Sequence, residues 1–202
     1  SSDVCSSDLA ALLPDRPDPE HQTANARRPR LRDRDAEGDH VGERVELTTE
    51  GGLDVVTGHV AVKAAVDQLQ SNGIRVSLFI DPEPAQIRAA VDTGASVIEL
   101  HTGAYAEAPD ATAIEHELSR LRQAISVAVK LGLRVNAGHG LHLGNVDAVA
   151  GMPGLAELNI GHAIVAQAVF DGWEPTIRHF KARMVQAYLQ AQRAGSAQAS
   201  PR

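Results

Sequence analysis

Short apolar runs alternate with helical segments from about Val45 onward, and this alternation restricts the fold more than any other feature of the sequence. Such a βαβ pattern is typical of a parallel sheet covered by helices. Four or five successive right-handed βα units form either an open doubly wound sheet or part of a barrel. A candidate for the fifth strand lies at His40–Leu47. The four clear predicted strands are Arg75–Asp81, Ser96–Thr102, Arg134–Ala137 and Leu155–Ile160.

The predicted helices are marked by apolar residues at steps of three and four and by their start and stop residues. Thr112 and Glu115 have the spacing of a capping box, which predicts that a long helix begins there and ends before Gly132. Pro175 is a favourable first helical residue and predicts the start of the last helix. Shorter helices are predicted at Val60–Asn72, Pro84–Thr93, Asn145–Gly151 and Ile164–Phe170.

Residues 1–44 have a different character from the rest of the chain. The segment Pro14–Asp39 is rich in Arg, Asp and Pro and has almost no apolar periodicity. Such a segment cannot bury enough apolar surface to offset the entropy lost on ordering. The sequence therefore predicts three parts: a disordered or non-native segment at 1–44, a barrel-like α/β unit at 45–194, and a disordered tail at 195–202.

Composition excludes several classes of function. A formal net charge of −7 argues against nucleic-acid binding, which needs a basic surface. No apolar run approaches the roughly 20 residues that span a bilayer, and the single cysteine, Cys5, permits no internal disulfide. A cytoplasmic enzyme is expected. None of Lys63, Lys130 and Lys181 lies at a strand end, which argues against Schiff-base chemistry.

Polar residues cluster where the predicted strands end, which is where parallel α/β folds bind their ligands. Glu99 and His101 alternate along one strand, so both face the same side as either site residues or a core ion pair. Asn136 and the loop residue His139 follow on the next strand, and an imidazole there can exchange protons with a substrate or simply be solvated. At the last strand, Gly161-His162 precedes a short helix whose N-terminus favours an anion such as phosphate.

At these positions the chain resembles the pyridoxine 5′-phosphate synthase family over about Glu46 to Arg193. The matching stretches are ELTTEGGLDV (Glu46–Val55), VSLFID (Val76–Asp81), VIELHTGAYAEA (Val97–Ala108), LRVNAGHGL (Leu133–Leu141) and ELNIGHAIVAQAVF (Glu157–Phe170). The resemblance implies a TIM (β/α)₈ barrel, here an incomplete one covering about the last four or five βα units, and assembly into homo-octamers.

The family condenses 1-deoxy-D-xylulose 5-phosphate with 3-amino-2-oxopropyl phosphate to give pyridoxine 5′-phosphate, inorganic phosphate and water. The resemblance implies that neither cofactor nor metal is needed. It matches His139 to the proton donor and Thr48 to a ligand of the deoxyxylulose phosphate. It also matches Gly140, Gly161 and His162 to ligands of the amino-ketone phosphate.

The family's N-terminal motifs are not found in residues 1–44: an Asn-x-Asp-His sequence with a later Arg, a His-x-Arg element with a catalytic His, and a catalytic Glu. The resemblance therefore implies a truncated or frame-disrupted member that lacks the family's proton acceptors. One alternative is a non-catalytic phosphate-binding fragment. Another is a metal-dependent barrel hydrolase that uses His101, His139 and Glu99.

Overall fold

The computed structural model describes residues 51–198, with side chains through residue 195. Predictions that concern the segment 1–44, the candidate strand His40–Leu47 and the ligand Thr48 lie outside the described residues, as does the end of the tail at 199–202.

Four parallel strands form a sheet in which each strand pairs with the next one along the chain. Because the order β1-β2-β3-β4 does not reverse within residues 51–198, this part of the sheet is wound in one direction, as in a barrel. All four predicted strands are confirmed, with small shifts at their ends. The strands are β1 (Ser77–Ile80), β2 (Val97–His101), β3 (Arg134–Gly138) and β4 (Leu155–Asn159).

Helices follow every strand and precede the first. They are α1 (His59–Ser71), α2 (Pro84–Asp92), α3 (Gly103–Ala106), α4 (Ala111–Lys130), α5 (Val146–Ala150), α6 (His162–Asp171) and α7 (Trp173–Gln198). The capping-box prediction for α4 was wrong: Asp110 is the N-cap, and its carboxylate accepts a 2.9 Å hydrogen bond from the amide of Ala113. Helix α7 begins two residues before Pro175 and continues past residue 195, where the sequence predicted a disordered tail. Its Ala- and Gln-rich end favours continued helix.

The sheet has one apolar face and one polar face because side chains alternate along each strand. On the apolar face, Ile80, Ile98, Leu100 and Val135 are fully buried beneath the helices. Burying a side chain of this size contributes roughly 1.5–3 kcal/mol, so this layer stabilises the fold. The other face carries Phe79, Glu99 and Asn136, which are in register across the strands, and His101, which lies two residues beyond Glu99 on β2.

The end of the described chain is much less buried than its middle. Helix α6 has no buried side chain. Four large apolar residues on α6 and at the start of α7 are exposed, and we call them the α6–α7 apolar patch: Val165, Val169, Phe170 and Trp173. Within residues 51–198, β4 also has no partner strand on its outer side.

Candidate active site

The carboxyl ends of the first three strands meet at a cleft of about 430 Å³. Asp81 follows β1, His101 ends β2 and His139 follows β3, and all three side chains line this cleft. Asp81 Oδ1 lies 3.0 Å from His101 Nδ1, and the ring centroids of His101 and His139 are 4.8 Å apart in an edge-on arrangement. The structure thus brings together three polar groups that are separated by about twenty and forty residues in sequence.

His101 is held in one orientation by its neighbours. Because an ionised carboxylate only accepts hydrogen bonds, the bond to Asp81 places a hydrogen on His101 Nδ1. The ring of Phe79 packs edge-on against it at 5.1 Å. His101 Nε2 is buried and has no hydrogen-bond partner within residues 51–198. A Cβ at Gly103 would lie 2.6 Å from this nitrogen and 3.2 Å from His139 Cδ2, so both imidazoles can pack here only above a glycine.

His139 and Gly140 form a turn with left-handed backbone conformation at both residues. Their φ angles are 84° and 72°, and His139 is the only residue other than glycine with positive φ in the described part of the chain. The buried Thr102 hydroxyl approaches the carbonyl oxygens of Gly138, at 2.7 Å, and His139, at 2.5 Å. Asn145 Nδ2 donates to the Gly140 carbonyl at 3.1 Å. The turn is therefore fixed from both sides.

Glu99 lies deeper on the polar face of the sheet, where Asn159 Nδ2 donates a 2.7 Å hydrogen bond to its carboxylate. Burial raises the pKa of Glu99 above its ordinary value and the nearby Glu157 adds to the rise, whereas Asn159 and His101 oppose it. Asn136 lies between Glu99 and Glu157 in register. Its Oδ1 is buried with no partner within residues 51–198. This face of the sheet therefore keeps one buried acceptor, Asn136 Oδ1, that no residue within 51–198 uses.

Gly161 and His162 lie at the end of the neighbouring strand. Gly138, at the end of β3, pairs with Asn159, at the end of β4. Gly140 and Gly161 each follow this pair by two residues, so both lie at neighbouring strand ends. Gly161 is the N-cap of α6, and both Gly161 and His162 are exposed. The first amides of a helix have no partner inside it and, together with the helix dipole, favour an anion.

The site residues predicted from the sequence thus fall into three groups. The first group lines the cleft and consists of His101 and His139. The second lies on the polar face of the sheet and consists of Glu99 and Asn136. The third lies at the adjoining strand ends and consists of Gly140, Gly161 and His162. The sequence places Thr102 at the polar end of β2 but does not single out three other residues that shape the cleft or its walls: Phe79, Gly103 and Arg120.

One of these three residues carried a signal, since Gly103 follows the end of β2 by two positions. Arg120 carried none, because it lies in the middle of α4 and reaches the cleft while paired with Glu83 and Glu117.

Residues 51–198 contain neither a metal-binding cluster nor a membrane-spanning helix. No group of three or more His, Cys, Asp or Glu side chains is arranged to hold a metal ion. No helix in this range is both long and apolar enough to cross a bilayer.

A one-directional parallel sheet with its polar residues gathered at the carboxyl ends of the strands defines this chain as part of a (β/α) barrel. The family model described as "Pyridoxal phosphate biosynthesis protein PdxJ" matches residues 41–186. The chain belongs to this family.

A curated relative and a solved structure are also similar. The relative, named pyridoxine 5′-phosphate synthase, is from Legionella pneumophila (strain Corby) and is 54% identical over 147 residues. The match covers 73% of this chain and 59% of the relative, so the chain spans less than two thirds of the relative's length. The crystal structure of the Amycolatopsis orientalis BexX/CysO complex aligns with a TM-score of 0.46 at 19% identity, covering 71% of this chain and 53% of that one.

Proposed function

We propose that this chain is a pyridoxine 5′-phosphate synthase, which condenses 1-deoxy-D-xylulose 5-phosphate with 3-amino-2-oxopropyl phosphate. The observation that carries the proposal is the left-handed His139–Gly140 turn. The His139 side chain lines the cleft beside the Asp81–His101 pair, and the turn follows β3, whose end pairs with the strand that leads into α6. Acid–base and anion-binding groups thereby adjoin each other, as a condensation of two phosphate esters requires.

His139 is the proposed proton donor. Imidazole is the commonest general acid in enzymes, and such a group contributes about 10²–10⁴ to the rate. His139 is partly exposed at the cleft, where a substrate oxygen can reach its ring. Three further residues are proposed to support the site without contacting the substrate: Glu99, His101 and Asn136.

Gly140, Gly161 and His162 are the proposed ligands of the amino-ketone phosphate. Glycine lets the backbone approach a ligand closely, and the amide groups at the start of α6 supply donors. A phosphate site at the N-terminus of a short extra helix is a recurrent feature of barrels. By the family resemblance, Thr48 is proposed to bind the second substrate.

The synthase proposal is tested by comparing two proteins. In the first, the chain as it stands is titrated calorimetrically with 3-amino-2-oxopropyl phosphate and assayed for phosphate release with both substrates. In the second, residues 46–202 follow the N-terminal part of the Legionella relative. We expect binding with little or no turnover in the first protein and full turnover in the second, because ring closure needs the family's N-terminal proton acceptors.

Near-normal turnover by the chain alone would contradict the need for those residues. Binding without turnover in both proteins would favour the non-catalytic phosphate-binding fragment instead.

Two variants of the fused protein separate chemistry from binding. His139→Ala is expected to lower turnover by about 10²–10⁴ while changing substrate affinity much less. Gly161→Val is expected to weaken phosphate binding first. A Cβ at Gly161 would meet no atom within 4 Å, so the added bulk projects into the space assigned to the ligand without disturbing the fold. Unchanged binding in Gly161→Val would remove this residue from the phosphate site.

The resemblance also supports proposals on assembly and location. We propose that the complete protein forms homo-octamers in the cytoplasm. The exposed α6–α7 apolar patch is consistent with further contacts for this surface. Sedimentation of the fused protein tests the assembly, and a monomer at micromolar concentration would contradict it.

A further inference from the structure

The backbone of His139 has a positive φ angle, which is unfavourable for a residue that carries a Cβ. Positive φ costs a residue with a Cβ roughly 1–2 kcal/mol, and such residues persist only where the surrounding structure fixes them. His139 has a φ of 84° next to Gly140, for which the same conformation is ordinary. Some contact must therefore offset the strain at His139.

Thr102 makes that contact. Its hydroxyl lies within hydrogen-bond distance of two consecutive carbonyl oxygens, those of Gly138 and His139, and its backbone amide donates a third bond to Gly138 O at 2.8 Å. These carbonyls belong to the two peptide planes on either side of the His139 Cα. Fixing both planes fixes φ and ψ of His139, and with them the direction of its side chain.

The contact cannot be replaced by water. Thr102 is fully buried, and these two carbonyls are the partners of its hydroxyl within residues 51–198. Asn145 holds the Gly140 carbonyl, one residue further on, and does not constrain the plane before His139. Loss of the Thr102 hydroxyl would thus take from the His139 carbonyl the donor on its side of the turn, whereas Gly138 O keeps the Thr102 amide, and the turn would be released.

We infer that Thr102 is a positioning residue: its hydroxyl holds His139 in the left-handed conformation that directs the imidazole into the cleft. The inference rests on the proposed function only in assigning a substrate to that cleft. Thr102 acts through His139 and does not contact the substrate.

The test uses the full chain with three substitutions at position 102. Thr102→Val keeps the shape and removes the hydroxyl, Thr102→Ser keeps the hydroxyl, and Thr102→Cys replaces it with a weak donor. Thr93→Val is the matched control. Thr93 is also fully buried, and its hydroxyl donates to the Ala90 carbonyl at 2.6 Å. It differs from Thr102 in position, because it precedes β2 and so lies at the amino ends of the strands, away from the cleft.

Two site measurements and one stability measurement are made on each protein. The one-bond Cα–Hα coupling of His139, measured by NMR without ligand, reports the sign of φ. Calorimetry with 3-amino-2-oxopropyl phosphate gives the affinity, and thermal unfolding gives Tm. For Thr102→Val we expect a changed coupling and about tenfold weaker binding, because release of the turn also displaces Gly140, a proposed phosphate ligand. Thr102→Ser should restore both to near the parent values, whereas Thr93→Val should lower Tm alone.

If Thr102→Val does not fold, Thr102→Cys is compared with Thr102→Ser instead. The His139 coupling and the affinity of Thr102→Cys are expected to lie between the values for Thr102→Ser and those expected for Thr102→Val. An unchanged His139 coupling in the variants that lack the hydroxyl would overturn the inference. So would equal site effects in Thr93→Val. If the parent chain does not bind the phosphate ester while the coupling still follows the hydroxyl, the inference holds and the proposed substrate is wrong.

Discussion

At the scale of single residues, Glu99 is the carboxylate most affected by its surroundings on the polar face of the sheet. It is partly buried, accepts a hydrogen bond from Asn159 and has Glu157 nearby, and the net effect is a raised pKa. The folded protein therefore binds a proton at Glu99 more readily than the unfolded chain. Ionisation of Glu99 at neutral pH works against folding.

Glu99→Gln is therefore expected to stabilise the fold at neutral pH. At pH values just above 4.5, the ordinary pKa of a Glu side chain, the folded state holds more protons than the unfolded state. The free energy of unfolding therefore falls as the pH rises through this range. A neutral Gln avoids this loss and can still accept the bond from Asn159. Urea unfolding at pH 7 and pH 4 should show a gain at pH 7 that is absent at pH 4.

Glu174→Gln is the control for this effect. The Glu174 side chain is 75% exposed at the start of α7 and pairs with Arg178 at 2.6 Å, so its neutralisation should change stability little. A gain for Glu99→Gln that is equally large at both pH values would show that packing, and not ionisation, is responsible.

At the scale of secondary-structure elements, the loops after β3 and β4 contain glycines under different constraints. Gly140 has positive φ, and a Cβ there would lie 2.5 Å from the Cβ of Ala106 in α3. Gly161 has an ordinary φ of −111° and open space around it. The fold requires the first glycine, whereas nothing within residues 51–198 restricts the second; we propose that a ligand requires it.

Alanine substitutions should separate these two requirements. Gly140→Ala combines backbone strain with a steric clash and is expected to lower stability by about 1–3 kcal/mol. Gly161→Ala should stay within about 0.5 kcal/mol of the parent. Thermal unfolding of both variants measures this difference. Similar losses in the two would mean that Gly161 also has a structural role.

The elements could be predicted from the sequence because their signals are local. Apolar runs between glycines located all four strands, and the βα alternation indicated parallel pairing. The start of α4 was misplaced because Asp110 competes with Thr112 as the cap, and only the observed bond to Ala113 decides between them.

The strand-end histidines were found from their position alone, but the contacts of Phe79 and Thr102 with them join distant parts of the chain. No local pattern could reveal those contacts.

At the scale of the whole molecule, the described chain exposes surfaces that a closed barrel would cover. β4 has a free outer side within residues 51–198, and the α6–α7 apolar patch lies beyond it in sequence. Phe170 is 85% exposed, which is unusual for an aromatic side chain of a monomer. Open strand edges and apolar patches both favour association between chains.

We therefore expect the chain as it stands to self-associate at micromolar concentration. The double variant Phe170→Lys/Trp173→Lys should reduce the association measured by sedimentation. Val60→Lys is the control, because Val60 is 84% exposed on α1, away from the patch. A soluble monomer in the parent chain would contradict this expectation, and an equal effect of Val60→Lys would show that added charge alone is responsible.

The position of Trp173 also has an optical consequence. It is the only tryptophan in the chain, and its side chain is 61% exposed at the junction of α6 and α7. The indole fluorescence of the protein therefore comes from a single place and should show the red-shifted emission of a solvated ring. Any molecule that covers this junction, such as the rest of a barrel or a second chain, should shift the emission to the blue. Intrinsic fluorescence can thus follow assembly in real time without an added label.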